Sequence, residues 1–228
     1  MNKNGIYEII ENAKIAKDVY KMILKGDTKA ILFPGQFINI QIKDCYLRRP
    51  ISVCDYDNET ITIIYKVVGQ GTDILSKMKS KETLDVLVGL GNGFDVNKCE
   101  GNKPLIIGGG VGTPPMYRLC KELIMKLKEP IVVLGFNSKE DVFFKEEFEN
   151  IGAKTYIVTV EGSYGEKGLV TDVIKDLAYS YYYACGPIPM LKAVYEQAKR
   201  QWRVQFWGKN GMRIWSLYGL YDGNKEWI

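Results

Sequence analysis

The chain has 228 residues, of which 46% are hydrophobic and 25% are charged, and its formal net charge is +4. These values are typical of globular proteins, and at roughly 100–150 residues per domain the length predicts two domains. The positive charges are spread without a long Lys/Arg run, which argues against a nucleic-acid partner. No apolar run approaches the roughly 18 residues of a membrane helix and the first residues lack a signal-peptide core, so we expect a cytoplasmic protein with no membrane partner.

The chain has no histidine, and its cysteines show no C-x-x-C spacing. The lack of histidine excludes histidine-based catalytic triads and most zinc sites. Any chemistry is therefore expected to depend on a bound cofactor. Five scattered cysteines are expected to be mostly reduced and buried; they are Cys45, Cys54, Cys99, Cys120 and Cys185.

Residues 1–98 alternate short apolar segments with turn residues. Several strands at this spacing predict a small antiparallel β-barrel domain. The predicted strand segments are residues 13–24, 37–42, 51–54, 61–68 and 84–88.

Residues 99–200 follow a different pattern, in which strand, turn and helix alternate. The pattern predicts a doubly wound α/β domain with a parallel sheet, and the seam between the domains is expected near residues 97–102. The predicted strands are residues 104–108, 131–136, 155–160 and 181–185. The predicted helices are one with an apolar stripe from Met116 to Leu127, an acidic one opened by Ser138, and residues 170–177 and 187–200.

The segment Arg48-Arg49-Pro50-Ile51-Ser52 lies where a strand is predicted to begin. An arginine beside a proline-fixed backbone and a hydroxyl can hold a flavin phosphate by charge-assisted hydrogen bonds. The alternative is a basic loop before an ordinary strand.

Residues 64–72 read Ile-Tyr-Lys-Val-Val-Gly-Gln-Gly-Thr and precede a helical segment. Glycines before a helix allow the backbone to approach a phosphate at the helix N-terminus. The alternative is a turn that needs positive φ, followed by a threonine N-cap.

Two further turns follow predicted strands of the second domain. Residues 108–115, Gly-Gly-Gly-Val-Gly-Thr-Pro-Pro, come between a buried strand and an amphipathic helix, which is the context of a nucleotide-binding turn. Residues 185–190, Cys-Gly-Pro-Ile-Pro-Met, follow a later strand, and because ligands bind at the carboxyl ends of strands the two turns could face one crevice. The alternatives are a purely structural glycine turn and a buried structural cysteine.

These four motifs, in this order, resemble the ferredoxin reductase superfamily. Within it, two segments are most similar to electron-transfer subunits of NAD-dependent dihydroorotate dehydrogenase: Leu-Gly-Asn-Gly-Phe at residues 90–94 and the Arg-Arg-Pro-Ile-Ser motif. The resemblance covers residues 1–200. The chain departs from the family pattern at Lys81, where relatives often carry glycine before an acidic residue.

The resemblance implies an FAD site in the first domain and a nicotinamide-nucleotide site in the second. FAD would be contacted by Arg49, Pro50, Ile51, Ser52, Ile64, Tyr65, Lys66, Gly71 and Thr72. The nicotinamide nucleotide would be bound by Gly109, Gly110, Gly112, Thr113, Cys185, Gly186, Pro187 and Met190.

Residues 201–228 fit neither domain pattern and contain all four tryptophans of the chain. The family usually ends with a [2Fe–2S] segment, Met-Ala-Cys-Gly-x-Gly-Ala-Cys-x-Gly-Cys, whereas this chain has no cysteine after Cys185. A one-base shift of the codons can recover that segment, with the C-x₄-C-x₂-C spacing of plant-type clusters. We therefore predict a frameshift near Arg200 and no metal ligands in the tail. The residue pairs that can encode cysteine in the shifted frame are Met212 with Arg213, Leu217 with Tyr218, and Leu220 with Tyr221.

The implied function is hydride exchange between NAD(H) and FAD in an electron-transfer subunit of pyrimidine biosynthesis. Its implied partner is an FMN-containing dihydroorotate dehydrogenase catalytic subunit, in a heterotetramer of two subunits of each kind. Without cluster ligands, this chain alone is expected to act only as a diaphorase, and Glu140 and Asp141 after a strand favour NADH over NADPH. The alternatives are a sulfide dehydrogenase or ferredoxin:NADP reductase subunit, or an inactive nucleotide-binding interaction module.

Overall fold

The computed structural model describes residues 3–43, 45–205, 213–216 and 219–222. The chain divides into two compact units. Unit 1 comprises Met1–Asp95 together with Tyr117–Leu119, and unit 2 comprises Val96–Met116 with Cys120–Ile228. No helix among the described residues is both long enough and apolar enough to cross a membrane.

Unit 1 is built on a closed six-stranded antiparallel barrel, as the sequence predicts. Its strands are β1 (Lys3–Ala16), β2 (Val19–Lys25), β3 (Phe37–Gln41), β4 (Arg49–Tyr56), β5 (Thr60–Lys66) and β6 (Thr83–Leu90). Their order around the barrel is β1-β2-β5-β4-β3-β6, and β6 closes the barrel by pairing with β1. Alternate residues of each strand point inward and form a continuous apolar core.

The predicted single segment at residues 13–24 is wrong, because it is a hairpin. β1 ends at Ala16 and β2 begins at Val19, and Asp18 between them has a φ of 57°. The sequence pattern does not predict the long first strand, because apolar side chains lie on both of its faces: Tyr7 and Ile9 are buried, whereas Ile6 is 67% exposed. A period of two is not visible in such a segment.

The barrel unit contains the helix α1 (Gln70–Lys77). It follows β5 directly, and its Leu75 is completely buried in the barrel core. Its N-cap residue is Gly69, with an extended φ of −173°. The helix is therefore held to the barrel by a buried side chain while its N-terminal turn remains at the surface.

Unit 2 contains a seven-stranded sheet with helices, which agrees with the predicted doubly wound domain. Its strands are β7 (Pro104–Gly109), β8 (Ile131–Phe136), β9 (Lys154–Thr159), β10 (Glu166–Lys167), β11 (Tyr181–Cys185), β12 (Arg213–Ser216) and β13 (Gly219–Asp222). Their order is β10-β9-β8-β7-β11-β12-β13, and all neighbours are parallel except β12 and β13. β7 is buried along its whole length.

The remaining helices are α2 (Thr113–Met125), of which Tyr117–Leu119 are grouped with unit 1, and three helices of unit 2: α3 (Lys145–Asn150), α4 (Val170–Ile174) and α5 (Ile188–Gln205). The predicted stripe on α2 is buried from Met116 to Leu123, but Leu127 lies beyond the helix, with a φ of 57° and 86% exposure. The acidic helix does not begin at Ser138, which precedes a short 3-10 turn at Lys139–Asp141. It begins at Lys145, after Phe144 adopts a φ of 67°.

The tail contributes backbone structure that the sequence pattern does not predict. β12 pairs in parallel with β11, and β13 returns antiparallel to β12. The predictions made from the tryptophans of the tail concern side chains that lie outside the described residues.

Candidate nucleotide-binding sites

The N-terminal turn of α1 forms a cradle with the side chain of Arg49. A Cβ placed on Gly71 would lie 2.4 Å from Arg49 Nε and 2.8 Å from its Cζ, so the guanidinium lies directly on the glycine. Arg49 Nη1 donates a hydrogen bond to the carbonyl oxygen of Leu47, which holds the side chain along the turn. A cation is thus held at the helix end that already carries positive dipole and N–H groups without intrahelical partners.

Thr72 closes the turn before this helix. Its Oγ1 accepts hydrogen bonds from the backbone N–H groups of Val68 at 3.0 Å and Gly69 at 3.2 Å, and donates to the carbonyl oxygen of Gly69. The alternative proposed for this motif is therefore wrong: the N-cap is Gly69 rather than a threonine, and neither Gly69 nor Gly71 has positive φ. Gly71 is needed for the close approach of Arg49.

The other residues predicted at the FAD site divide between the two faces of the barrel wall. Pro50 and Ser52 of β4 alternate with core residues, and so do Ile64 and Lys66 of β5; these four lie on the outer face, although Ile64 is itself buried, with 3% exposure. Ile51 and Tyr65 lie on the inner face, where they are 8% and 3% exposed and belong to the barrel core. Only the backbone of these two residues is available to a ligand.

Arg48 differs in role from its neighbour Arg49. Its Nη1 donates to the carbonyl oxygens of Asn39 at 3.2 Å and Asp85 at 3.3 Å, and its Nη2 donates to Asp85 Oδ1 at 2.9 Å. Arg48 therefore ties the start of β4 to β3 and β6. Sequence alone does not separate two adjacent arginines, since both suit a phosphate equally well.

In unit 2 the two predicted nucleotide turns follow neighbouring strands. β7 ends at Gly109 and β11 ends at Cys185, and the two strands are parallel with Cys185 opposite Gly108. β7 lies between β8 on one side and β11 on the other, so the direction of chain winding changes here. This is the topological switch point at which open α/β sheets bind ligands.

The two turns approach each other within van der Waals contact. A Cβ on Gly109 would lie 2.5 Å from Met190 Sδ and 3.0 Å from Pro187 Cδ. A Cβ on Gly112 would lie 2.3 Å from the carbonyl oxygen of Cys185, and one on Gly186 would lie 3.1 Å from Gly109 Cα. Backbone atoms leave no room for a side chain on Gly112, whereas the neighbours of Gly109 are the side chains of Met190 and Pro187.

The remaining predicted residues of unit 2 complete the rim and floor of this crevice. Pro187 is exposed, and a Cβ added to Gly110, which has a φ of 52°, would have no described atom within 4 Å. Thr113 is completely buried at the start of α2, and its Oγ1 has no hydrogen-bond partner among the described residues. Burial raises the pKa of the Cys185 thiol to about 12, so that thiol is protonated at neutral pH.

The cysteines do not form a metal site. All five are buried and form no disulfide, and none follows residue 185. Among the described residues, no three cysteine, aspartate or glutamate side chains are grouped so that they could hold a metal ion. The described residues, which include all five cysteines, therefore do not fit a [2Fe–2S] cluster.

Comparison with known proteins finds one matching family model and several similar relatives. The family model of the oxidoreductase NAD-binding domain matches residues 106–196. The electron transfer subunit of dihydroorotate dehydrogenase B (NAD(+)) from Fusobacterium nucleatum is 46% identical over 197 residues, which cover 81% of this chain and 76% of that protein. The subunit of the same name from a Geobacillus species is 44% identical over 203 residues, covering 85% and 79%.

Solved structures share the fold. A cytochrome P450 reductase from Amycolatopsis superposes with a TM-score of 0.80 at 18% identity, covering 94% of this chain and 69% of that one. An NADH-dependent reduced ferredoxin-NADP oxidoreductase has a TM-score of 0.77 at 28% identity, covering 93% and 75%. A ferredoxin NADP⁺ reductase from Neisseria gonorrhoeae with bound FAD and NADP has a TM-score of 0.75 at 15% identity, covering 87% and 91%.

Proposed function

The chain belongs to the family of electron transfer subunits of NAD(+)-dependent dihydroorotate dehydrogenase B, and from this premise we propose that it binds FAD in unit 1 and NAD(H) in unit 2. With an intact cluster segment, this role is to pass electrons from a dihydroorotate-oxidising catalytic subunit to NAD in pyrimidine biosynthesis. The proposal combines the family with the two sites described above.

The contact between Arg49 and Gly71 carries the FAD assignment. A guanidinium at the positive end of α1 is electrostatically unfavourable unless an anion lies between them. Arginine with helix N–H groups is a strong binding set for the phosphates of a dinucleotide. We propose that Arg49, Gly71 and Thr72 hold the FAD phosphates, and that the outer face with Pro50, Ser52, Ile64 and Lys66, together with the backbones of Ile51 and Tyr65, holds the remainder.

The crevice between the two turns of unit 2 supports NAD(H) as the substrate. It lies at the switch point of the sheet, and backbone atoms of Cys185 and Gly186 leave no room for a side chain on Gly112. The unpaired, buried Thr113 hydroxyl is a polar atom for which a bound nucleotide can supply a partner. We assign Gly109, Gly110, Gly112, Thr113, Cys185, Gly186, Pro187 and Met190 to this substrate.

When bound, FAD supplies the chemistry by exchanging a hydride with the nicotinamide. The residues of this chain bind and orient the two groups, and hydride exchange needs no side-chain acid or base. This agrees with the lack of histidine and with a Cys185 thiol that burial keeps protonated.

The chain does not fit the [2Fe–2S] cluster that its family carries, so no one-electron relay is assigned to it. The proposed partner remains the FMN-containing catalytic subunit, in a complex of two subunits of each kind. We expect purified protein to reduce artificial acceptors with NADH and to contain no iron. Restoring the shifted frame after residue 200 should introduce iron, acid-labile sulfide and electron transfer to the partner together. Stoichiometric iron and sulfide in the unaltered chain would contradict this assignment.

The second candidate is a subunit that exchanges electrons between NAD(P)H and ferredoxin. The observation in its favour is the 28% identity of the chain to the NADH-dependent reduced ferredoxin-NADP oxidoreductase. It ranks second because the identity to the dihydroorotate dehydrogenase subunit is higher, at 46%. Electron acceptors separate the two candidates, because only the second predicts rapid NADH-dependent ferredoxin reduction.

FAD titration of two charge variants tests the proposed function. Arg49→Ala removes charge-assisted contacts of about 1.5–3 kcal/mol and should weaken FAD binding roughly ten- to a hundredfold. Lys77→Ala is the matched control, because it removes the same charge from the other end of α1, where Lys77 pairs with Asp73 at 2.7 Å. FAD binding should be unaffected in the control, and NADH should bleach the bound flavin. Equal FAD affinities for Arg49→Ala and Lys77→Ala would rule out the cradle.

A further inference from the structure

Asn12 connects β1 to the C-terminal end of α1. Its Nδ2 donates to the carbonyl oxygens of Leu75 and Met78, each at 2.9 Å. Its Oδ1 accepts a hydrogen bond at 2.9 Å from the hydroxyl of Tyr65. Both N–H donors of the amide are therefore used on α1, and its oxygen is used on β5.

Only one arrangement of this network satisfies every group. The carbonyl oxygens of Leu75 and Met78 can only accept, so the amide nitrogen must face them and the amide oxygen must face Tyr65. Burial raises the pKa of the Tyr65 phenol, which keeps its proton available for donation. The Tyr65 ring is itself fixed by stacking on Tyr20, with ring centroids 5.8 Å apart and planes inclined by 18°.

α1 needs such an anchor because it is short. Eight residues form about two turns, and helices of this length have little stability of their own in water. The last carbonyl groups of a helix also lack intrahelical partners. The Leu75 carbonyl oxygen accepts from the Met78 N–H at 3.2 Å, and Asn12 gives it a second donor and gives the Met78 carbonyl oxygen a donor as well. The buried side chain of Leu75 supplies the apolar contact.

The two ends of α1 therefore have different roles. The C-terminal end is bonded to Asn12, and the N-terminal end carries Gly71 against Arg49. In a rigid two-turn helix, a tilt at one end displaces the other. We infer that Asn12 and Tyr65 are positioning residues for FAD, which fix α1 at its C-terminal end and thereby align its N-terminal turn with Arg49. This inference rests on the proposed function for the identity of the ligand.

The inference gives Tyr65 a role other than direct contact with the ring of FAD. Its side chain lies inside the barrel and reaches the helix through Asn12, so it acts on the site without touching the ligand. Asn12 is not recognisable from the sequence motifs, since it lies 53 residues before Tyr65 within an ordinary strand.

FAD dissociation constants of three variants test the inference. Asn12→Asp has nearly the same shape but cannot donate to the two carbonyl oxygens, and should weaken FAD binding about tenfold. Tyr65→Phe keeps the stacked ring and loses one donor, and should weaken FAD binding about threefold. Tyr7→Phe is the matched control, because Tyr7 is another buried tyrosine of the same barrel whose hydroxyl donates to the carbonyl oxygen of Asp27, away from α1. It should lower thermal stability while leaving FAD affinity within about twofold.

A double-mutant cycle with Arg49→Ala separates positioning from general destabilisation. If Asn12 acts by aligning the helix with Arg49, Asn12→Asp should weaken FAD binding less than about twofold once Arg49 is already removed. Additive losses in that cycle would overturn the inference, and so would a loss of FAD affinity in Tyr7→Phe equal to that in Tyr65→Phe. Another outcome would overturn the inference alone. The unaltered chain would bind FAD, and Arg49→Ala would lose this binding, but Asn12→Asp and Tyr65→Phe would leave FAD affinity unchanged. The proposed function would then still stand. Failure of the unaltered chain to bind FAD would overturn both. If Asn12→Asp does not fold, Tyr65→Phe in the same cycle decides the question.

Discussion

The two sites of this chain create a binding surface in different ways. In unit 1, a flexible cationic side chain, Arg49, lies on Gly71 at the end of a helix. In unit 2, two backbones meet, with Gly112 directly against the carbonyl group of Cys185. The first site depends on charge and the second on close packing of main chains. The same glycine-to-alanine change should therefore have different consequences in the two sites.

The largest effect is expected for Gly112→Ala. The added methyl group would lie 2.3 Å from the carbonyl oxygen of Cys185 and 2.7 Å from Gly186 Cα, and neither backbone can move without disturbing a buried strand end. We expect a loss of about 2–3 kcal/mol of unfolding free energy, because overpacking of rigid neighbours is costly. The kcat/KM for NADH should fall at least about a hundredfold, which corresponds to about 2.7 kcal/mol, while FAD remains bound.

Gly152→Asn is the control for this change. Gly152 has a φ of 91° and no atom within 4 Å of an added Cβ, and asparagine is the residue that best tolerates left-handed backbone. Its stability and NADH kinetics should stay close to those of the unaltered chain. Normal NADH kinetics in Gly112→Ala would show that the two turns do not need to touch.

Gly71→Ala should show the opposite combination, with weaker binding and little loss of stability. The methyl group would lie 2.4 Å from Arg49 Nε, and the arginine can swing away at small energetic cost. FAD affinity should then fall about tenfold, because the guanidinium leaves the helix end. The control is Gly69→Ala, at a position where an added Cβ has no described atom within 4 Å. If Gly71→Ala were as unstable as Gly112→Ala, the proposed difference between a flexible and a rigid neighbour would be wrong.

Much of this arrangement could be predicted from local sequence. The alternating segments predict a barrel, and the strand-turn-helix order predicts a parallel sheet whose strand β11 begins and ends as expected. The glycine turns could be located because each lies between a buried strand and a helix, so that their position depends on neighbours in sequence.

The contacts that distinguish similar residues could not be predicted. Arg48 and Arg49 are adjacent and chemically identical, yet one binds carbonyl groups of β3 and β6 and the other lies on α1. Asn12 and Tyr65 meet only because the barrel brings β1, β5 and α1 together. Helix limits were also missed where Phe144 and Leu127 adopt left-handed backbone, which non-glycine residues rarely do.

A smaller effect is expected on the choice between NADH and NADPH. Ser138 Oγ donates to Asp141 Oδ2 at 3.2 Å, and the Lys139 N–H donates to Ser163 Oγ at 2.8 Å, so the acidic turn after β8 is held in place. Its carboxylates should repel a 2′-phosphate, which favours NADH. Glu140→Gln should narrow the NADH preference in kcat/KM by about threefold, whereas Glu147→Gln on α3 should not change it. A higher kcat/KM for NADPH in the unaltered chain would contradict the prediction.

The smallest effect concerns the turn at Lys81. Lys81 has a φ of 76°, a left-handed conformation that costs a non-glycine residue about 1 kcal/mol. Its N–H donates to the carbonyl oxygen of Ile9 at 2.8 Å, and the Ile9 N–H donates to that of Glu82, so the turn is fixed to β1 and cannot relax. Lys81→Gly should therefore raise the free energy of unfolding by about 0.5–1 kcal/mol and the melting temperature by roughly 1–4 °C, with unchanged affinity for FAD and NADH.

The control is Lys79→Gly, two residues earlier and without positive φ, which should instead lower the free energy of unfolding by about 0.5 kcal/mol. Equal losses of stability in the two variants would show that the turn carries no strain at Lys81.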